Sequence, residues 1–449
     1  MLKLDLSGVS SGGLPAGWKV SAPRPSLEPV FKVVRQKNGQ RELLAAGNGR
    51  DDCAGYISRP VKLNTGRTYS LQVRFRMSAG INPNRNLLFV IWSERPGGQW
   101  FLHNGIFEFR KVSQNQVEGE GKFEVPSEGV TWQTKGKIAA EVRIIFKWSR
   151  QGKVWIEALV LKETEPVAPR LVTVACVSGR SKNGLAEWSA ILEAAGKEHA
   201  DIILLPEHFS GKKEELDGPS AELMRQKSVK YNMYVAGGIT WYDRAKDRLY
   251  NTSQLFDRRG NRVGIYRKIH PFTAESFQKG IFPGKSAPVF KTDFGTVGMM
   301  ICYDSWFNDV AELLALKGAE LILFSSAGYY RSIMPARAAD NGLRIVASSS
   351  GTPGGIWDVS GREVTEKEDP TCMCRSEPWL AARPSFKNVR VKTVAGKRLL
   401  IASLDLSIKL SPHNWGGPIL SAPGGRRNRR EQLRLLYSQI NKEAERWWQ

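Results

Sequence analysis

The rhythm of hydrophobic and polar positions changes near residue 165. Before that point, segments such as Tyr69–Phe75 alternate apolar and polar residues, which indicates strands with one buried and one solvated face. Turn-forming segments such as Asn64–Gly66 and Pro96–Gly98 separate them. The predicted strands are Val30–Val34, Tyr69–Met77, Leu87–Trp92, Val142–Trp148 and Val154–Leu161. Many short strands with glycine and proline turns predict an all-β, jelly-roll-like sandwich domain over residues 1–165.

After a polar, proline-containing linker, Lys162–Pro169, strand-like runs alternate with segments of helical spacing. The predicted strands are Leu171–Val177, Ile202–Leu205, Tyr234–Thr240, Ser253–Phe256, Val289–Lys291, Val297–Ile301, Leu321–Phe324, Arg344–Ser348 and Lys397–Ser403. The predicted helices are Gly184–His199, Ala221–Lys230, Trp306–Lys317, Pro335–Asn341 and a terminal helix, Arg430–Trp448. This alternation predicts an α/β domain over residues 170–449, including a C-terminal extension.

Composition places the chain among globular proteins, with 41% hydrophobic and 24% charged residues. No apolar run approaches the roughly 18 residues of a membrane span, so no membrane partner is expected. The first residues lack a basic segment followed by an apolar one, which predicts a cytoplasmic protein without a signal peptide, although a trimmed secreted chain would look the same. The five cysteines are widely spaced and do not predict a disulfide framework.

The formal net charge of +22 raises the possibility of a nucleic-acid-binding protein. However, the basic residues are spread along the whole chain, are densest at Gly425–Arg430, and accompany no familiar nucleic-acid motif. A solvated basic surface, facing an acidic polymer or partner, is therefore favoured over nucleic-acid binding.

Reactive groups stand at three predicted strand ends. The apolar run Val297–Ile301 ends on Cys302, and a helix predicted over Trp306–Lys317 follows. Backbone N–H groups at such a corner can stabilise a thiolate or an oxyanion, whereas the alternative is a buried cysteine that closes a core strand. Glu207 follows another strand, and Lys268 follows a third. A thiol, a carboxylate and an ammonium at one sheet edge would form an acyl-transfer site.

Three motifs at these strand ends resemble those of the nitrilase superfamily of carbon–nitrogen hydrolases. Leu204–Glu207 matches the glutamate segment, Tyr266–His270 the lysine motif and Gly298–Asp304 the cysteine elbow. They occur in the family's order and at its spacing, and the resemblance covers residues 170–370. It implies a four-layer α-β-β-α sandwich in the second domain.

The resemblance also implies roles for four residues. Cys302 would be the nucleophile, Glu207 the general base, Lys268 the stabiliser of the oxyanion, and Glu275 a second glutamate that supports Lys268. We expect Lys268 and the helix after the elbow to lower the pKa of the Cys302 thiol. No metal and no organic cofactor is required.

The stretch Ser305–Asp309 departs from the family pattern, in which many amidases carry an Arg and then a Pro-Glu pair. A clamp for a substrate carboxylate is therefore not expected from that position. Residues expected to line a more aromatic substrate pocket are His208, Tyr303, Trp306 and Tyr329. Ordinary packing around the elbow is the alternative for each of them.

The predicted activity is hydrolysis of an amide or N-carbamoyl bond through a Cys302 thioester, with release of ammonia or amine. Nitrile hydrolysis by the same triad, or a basic polyanion- or glycan-binding protein that keeps the fold, are the alternatives. The predicted partner is a small-molecule substrate.

The first domain and the C-terminus suggest further partners. A glycan could stack on an aromatic platform in the first domain, although core packing is the commoner fate of such rings. The platform would comprise Trp92, Trp100, Phe101 and Trp132. The terminal helix could dock on the body of the protein or on another subunit. The Asn414–Gly417 segment and the arginine run after it resemble tails of some family members that could cover a neighbouring subunit, so a homo-oligomer, a dimer or larger, is predicted.

Overall fold

The computed structural model describes residues 1–94, 100–106, 109–114, 116–125, 136–366 and 385–408, and isolated helical residues between 429 and 438. Side chains are not described at residues 94 and 100–104. The chain contains two compact units, one comprising Met1–Ala168 and the other beginning at Pro169. Each unit has strands and an apolar core of its own.

The first unit contains the strands and the single short helix of the N-terminal region. They are β1 (Leu2–Lys3), β2 (Lys19–Ser21), β3 (Val30–Arg35), β4 (Arg41–Ala46), β5 (Ala54–Asn64), β6 (Thr68–Met77), α1 (Pro83–Asn86), β7 (Leu87–Glu94), β8 (Trp100–Ile106), β9 (Phe109–Lys111), β10 (Gln116–Glu124), β11 (Lys137–Lys147) and β12 (Lys153–Thr164). All five strands predicted here occur, and the all-β prediction is confirmed.

Two antiparallel sheets form this unit. One has the order β3-β4-β12-β6-β10-β9, with β1 beside β12, and the other has the order β2-β5-β11-β7-β8. Their apolar faces share a core in which Phe75 and Phe89 lie 5.6 Å apart between ring centroids. The strand β4 escaped prediction because five of its six residues are buried, which removes the alternation that marks a half-solvated strand. The strand β12 runs to Thr164, so the predicted linker Lys162–Pro169 begins inside it.

The second unit contains the remaining elements. They are β13 (Leu171–Ser178), α2 (Leu185–Lys197), β14 (Ile202–Leu204), β15 (Lys213–Glu214), α3 (Pro219–Tyr231), β16 (Tyr234–Asp243), β17 (Arg248–Phe256), β18 (Arg262–Arg267), α4 (Thr273–Lys279), β19 (Val289–Lys291), β20 (Thr296–Ile301), α5 (Asp309–Leu316), β21 (Leu321–Ser326), α6 (Met334–Asn341), β22 (Arg344–Ser349), β23 (Gly355–Trp357), β24 (Phe386–Val394) and β25 (Lys397–Asp405).

The strands of the second unit follow the path β18-β17-β16-β14-β13-β22-β21-β20-β19. The path folds back at its middle, where β13 meets β22 through the pair Ser178 and Ser349. The two halves then face each other, since β14 and β16 pack on β21 and β17 packs on β20. Helices α2 and α3 lie on one half and α5 and α6 on the other. The predicted α-β-β-α architecture is therefore confirmed.

The helix predicted over Trp306–Lys317 is wrong at its start. Cys302–Trp306 forms a 3-10 turn, Phe307 is extended, and α5 begins only at Asp309. The Asp304 side chain accepts a hydrogen bond from the Ile301 N–H (3.0 Å), which closes the turn before a longer helix can form.

Near the C-terminus, residues 429–430, 432–434 and 436–438 are helical, and the remainder of the predicted helix Arg430–Trp448 lies outside the described residues. The same holds for the Asn414–Gly417 segment. Within the described parts of the chain, none of the helices has the length and apolar character needed to cross a bilayer.

Candidate active site

Facing half-sheets bring the three predicted strand ends together. Glu207 follows β14 and Lys268 follows β18 in one half, while Cys302 follows β20 in the other. The Ser325 hydroxyl on β21 donates to the Leu205 carbonyl (2.9 Å) and so ties the halves beside Glu207. Within the first of these halves, Gly238 on β16 lets the Glu207 backbone lie close to that strand, because a Cβ there would lie 2.8 Å from the Glu207 Cα.

The Lys268 ammonium lies between two buried carboxylates. Its Nζ donates to Glu207 Oε1 (3.0 Å) and to Glu275 Oε2 (2.7 Å), and the residue is 1% exposed. Glu207 Oε2 accepts a further hydrogen bond from the Ala327 N–H (2.7 Å), and Glu275 Oε2 accepts one from the Phe272 N–H (2.8 Å). Both carboxylates are thus held in fixed orientations by backbone donors.

These contacts fix the charge states of the pair Lys268 and Glu275. Burial alone would lower the pKa of Lys268, but the charges of Glu207, Cys302 and Glu275 raise it above its usual value. Burial would raise the pKa of Glu275, but hydrogen bonding from His208 and the Lys268 charge lower it well below its usual range. Lys268 and Glu275 therefore remain an ion pair at neutral pH.

Sequence reasoning missed Asn251, which joins the same cluster. Its side-chain Nδ2 donates to Glu207 Oε1 and to Glu275 Oε1, at 2.6 Å in each case. Asn251 lies in β17 among buried neighbours, and an isolated buried asparagine in a strand carries no sequence signal that separates it from packing.

Cys302 occupies a strained corner directly after β20. Its φ is +43°, a left-handed conformation that is uncommon for residues other than glycine. The Cys302 Sγ donates to the Gly328 carbonyl (3.4 Å), in the loop after β21. The backbone at this corner holds the thiol at the end of the strand, on the side where Glu207 lies.

The expected lowering of the thiol pKa is wrong for the unliganded site. Burial, followed by the charge of Glu207, raises the pKa of Cys302 to about 11, and the opposing effect of Lys268 is smaller. The elbow is also followed by a 3-10 turn and not by an α-helix, so the expected helix N-terminus is not adjacent. Cys302 is therefore a thiol at neutral pH and needs a base to become a nucleophile.

Asp304 anchors the elbow to the lysine segment. The buried carboxylate accepts hydrogen bonds from the Tyr266 hydroxyl (2.7 Å) and the His270 N–H (2.9 Å), in addition to the Ile301 N–H. The His270 ring lies 3.1 Å from Asp304 and 3.2 Å from Asp309, and the hydrogen bond to Asp304 raises its pKa. Lys268 and Cys302 are thus fixed relative to each other by a network centred on Asp304.

The four predicted substrate-binding residues occupy different environments. The His208 Nδ1 lies 2.7 Å from Thr240 Oγ1, and its Nε2 lies 3.6 Å from Glu275 Oε1. Tyr329 is buried, and its hydroxyl donates to the Pro353 carbonyl (2.8 Å). His208 therefore borders the charged cluster, whereas Tyr329 has its polar atom already occupied.

Tyr303 and Trp306 lie in the turn that begins at Cys302. The Tyr303 ring contacts Phe272 (5.4 Å between centroids) and Trp306 (6.0 Å), and Trp306 contacts Tyr330 (4.8 Å). Trp306 is 46% exposed. These rings form an aromatic surface beside the elbow, and substrate binding by them stays a prediction.

One group of side chains has the composition of a metal site. Ligand atoms of Glu207, His208 and Glu275 lie within 4.8 Å of one another. The Lys268 ammonium already contacts both carboxylates and supplies the positive charge that they would offer to a cation. The ion pairs with Lys268 therefore explain why the two carboxylates lie close together.

The sequence of the second unit is similar to that of carbon–nitrogen hydrolases. Residues 171–359, less than half of the chain, match the family described as "Carbon-nitrogen hydrolase". Together with the relatives described next, this match identifies the chain as an enzyme of the carbon–nitrogen hydrolase class.

Similar proteins include the N-carbamoylputrescine amidase of Solanum tuberosum, which is 28% identical over 284 residues, or 55% of this chain and 91% of the potato protein. The omega-amidase of Mus musculus is 28% identical over 196 residues, or 38% of this chain and 71% of that protein. A solved structure, Saccharomyces cerevisiae Nit3, has 22% identity and a TM-score of 0.43 over 55% of this chain and 93% of its own.

Proposed function

We propose that this chain hydrolyses the carbon–nitrogen bond of a small amide or N-carbamoyl compound through a thioester at Cys302. The observation that supports this most is the convergence of Glu207, Lys268 and Cys302, from three strand ends, on one buried point. The names of the relatives, N-carbamoylputrescine amidase and omega-amidase, agree with such a substrate class.

The charge balance of the cluster defines the first step. The ion pair of Lys268 with Glu275 leaves the Glu207 carboxylate as the uncompensated negative charge next to the thiol. Glu207 takes the proton from Cys302 Sγ while the sulfur attacks the carbonyl carbon, which avoids a free thiolate whose pKa is unfavourable. Lys268 and the backbone N–H after Cys302 stabilise the oxyanion that forms.

The same groups complete the turnover. Glu207 returns the proton to the leaving nitrogen, the C–N bond breaks, and ammonia or an amine departs. Glu207 then deprotonates a water molecule, which attacks the thioester carbon. The C–S bond breaks, the acid product leaves, and Cys302 recovers its proton from Glu207. His208, Tyr303 and Trp306 would contact the substrate, and Tyr329 would support the pocket from behind.

The first unit is proposed as an accessory module that binds a glycan or another polymer carrying the substrate. The guanidinium of Arg143 lies over the rings of Tyr56 (4.5 Å) and Trp92 (4.6 Å), which makes one polar-aromatic patch. The side chains of Trp100, Phe101 and Trp132 lie outside the described residues. A homo-oligomer, in which the C-terminal extension covers a neighbouring subunit, belongs to the same proposal.

The decisive experiment is ammonia release from a panel of amides, N-carbamoyl amines and nitriles. Cys302→Ala should reduce the rate for every active substrate by at least about 10³-fold, because the alanine side chain has no sulfur with which to form the thioester. Cys176→Ala is the matched control, since Cys176 is a buried cysteine on β13 of the same unit. It should stay within a few-fold of the wild-type rate.

Circular dichroism should show both variants folded. Undiminished hydrolysis by a folded Cys302→Ala protein would contradict the proposal. Activity confined to nitriles would replace the amide assignment with the nitrile alternative.

A further inference from the structure

Asn251 lies at the centre of the charged cluster but belongs to none of the reacting groups. It is 1% exposed, on β17 between β16 and β18. Its backbone carbonyl accepts a hydrogen bond from the Lys268 N–H (2.9 Å). The strand therefore fixes Asn251 and the start of the lysine segment together.

The Asn251 amide is the link between the two glutamates. Its Nδ2 carries two protons and lies 2.6 Å from an oxygen of each carboxylate, Glu207 Oε1 and Glu275 Oε1. Ionised carboxylates can only accept hydrogen bonds, so the nitrogen must face them. The Asn251 Oδ1 is buried and has no hydrogen-bond partner within the described residues. The amide nitrogen is thus held by the two carboxylates. A flipped amide would turn its oxygen toward them and would lose both hydrogen bonds.

A neutral donor at this position has a chemical consequence. Two carboxylates that share one ammonium repel each other, and such pairs tend to take up a proton. The amide offers each of them a hydrogen bond without adding charge. A cation here would stabilise the carboxylates as well, but it would neutralise the negative charge that makes Glu207 a base.

We propose that Asn251 is a positioning residue for hydrolysis: its amide holds Glu207 and Glu275 on either side of the Lys268 ammonium. This role rests on the proposed function of Glu207 as the base for Cys302. It predicts effects on the pH dependence of turnover that simple packing of a buried side chain does not produce.

Two substitutions of Asn251 test the effects of its hydrogen bonds and of an added charge. A third substitution, at another residue of β17, is the control for changes to the strand itself. Asn251→Leu keeps a similar volume but removes both hydrogen bonds. Asn251→Asp keeps the shape, adds a carboxylate when ionised, and retains one O–H donor when protonated. Ser253→Ala is the control, since Ser253 is buried on the same strand and its hydroxyl has no partner within the described residues.

We expect Asn251→Leu to lower kcat by about 10- to 100-fold, as loss of a supporting hydrogen bond commonly does, with KM changed less than about threefold. The acid limb of its kcat/KM profile should move upward by roughly half to one pH unit, because two donors to the charged carboxylates are lost. Asn251→Asp should regain activity as the pH falls, because its protonated form donates again. Ser253→Ala should match the wild type.

A second readout needs no substrate. Alkylation of Cys302 by iodoacetamide at pH 9 should be at least about fivefold slower in Asn251→Asp than in Ser253→Ala, because a third carboxylate opposes the thiolate. Equal alkylation rates in these two variants, or an Asn251→Leu enzyme with unaltered kcat and pH profile, would overturn the role of Asn251. If the wild type releases no ammonia from any substrate, the proposed function fails, and the alkylation rates still decide on Asn251.

Discussion

Both units of this protein place two carboxylates against one cation, but the second unit also places a thiol beside them. In the first unit, the buried Glu42 pairs with Arg76 (2.7 Å) on the seven-stranded sheet, and Arg76 also stacks over Trp155. A second carboxylate, Glu157, lies 3.8 Å from the same guanidinium. In the second unit, two buried carboxylates share the single ammonium of Lys268.

The two clusters differ in solvent exposure and in the neighbouring thiol. The Arg76 side chain is 33% exposed, so solvent screens the charges of its cluster, which contributes to stability. The cluster around Lys268 retains a negative charge beside the Cys302 thiol, and that charge both raises the thiol pKa and offers a base to remove its proton. Buried charge indicates chemistry when it lies beside a group whose proton it can accept.

The largest effect should follow from removing the unbalanced charge. Glu207→Gln should lower the hydrolysis rate by roughly 10²- to 10⁴-fold, because the amide cannot accept the thiol proton. The same change should accelerate alkylation of Cys302 at pH 9 by roughly tenfold, because the carboxylate that raises the thiol pKa is gone. Rate measurements with substrate and with iodoacetamide would thus move in opposite directions.

Glu42→Gln provides the comparison for that experiment, because it neutralises a buried carboxylate in the other unit. It should alter neither rate. Parallel loss of hydrolysis and alkylation in Glu207→Gln would instead indicate a collapsed site.

A smaller but direct test concerns the pH dependence of Cys302. Its pKa is raised to about 11, whereas an ordinary thiol titrates near 8.5, so about 0.3% should be thiolate at pH 8.5. The alkylation rate should therefore keep rising with pH well beyond 8.5 and reach half of its maximum only near pH 11. Stopped-time mass spectrometry of the Cys302 peptide measures this rate, and a plateau near pH 8 would contradict the balance of charges described for the site.

The smallest effect is expected in the first unit. Glu42→Gln should lower the free energy of unfolding of that unit by about 1–3 kcal/mol, because Arg76 loses the nearer of its two charged partners in a partly buried position. Ammonia release should stay unchanged. Chemical denaturation of Glu42→Gln and Arg76→Gln, singly and together, would give the coupling energy of the pair.

The sequence predicted the strands that end on the reactive residues, because apolar runs followed by polar groups are local signals. It predicted Glu207, Lys268 and Cys302 through motif order, and Glu275 through resemblance. Asn251 could not be found in this way, since its importance arises from two carboxylates that are 44 and 24 residues away along the chain.

Two other features depended on tertiary structure. The thiol pKa follows from burial and from the distance to Glu207, and a list of residue types contains neither quantity. The start of α5 follows from the Asp304 carboxylate, which closes a tight turn at the elbow and delays the helix by several residues. The helical spacing of apolar residues alone predicts that this helix begins at Trp306, whereas it begins at Asp309.

The left-handed backbone at Cys302 also limits which residues can replace it. Residues with a branched Cβ, such as threonine or valine, are poorly tolerated at a φ of +43°, so Cys302 is best exchanged for residues without a branched Cβ. Glycine alone would relieve the conformational cost, which is about 1 kcal/mol for other residues. Cys302→Gly would therefore relieve the backbone conformation but would also remove the sulfur. The conformation of the chain favours glycine at this position, whereas the proposed chemistry requires cysteine.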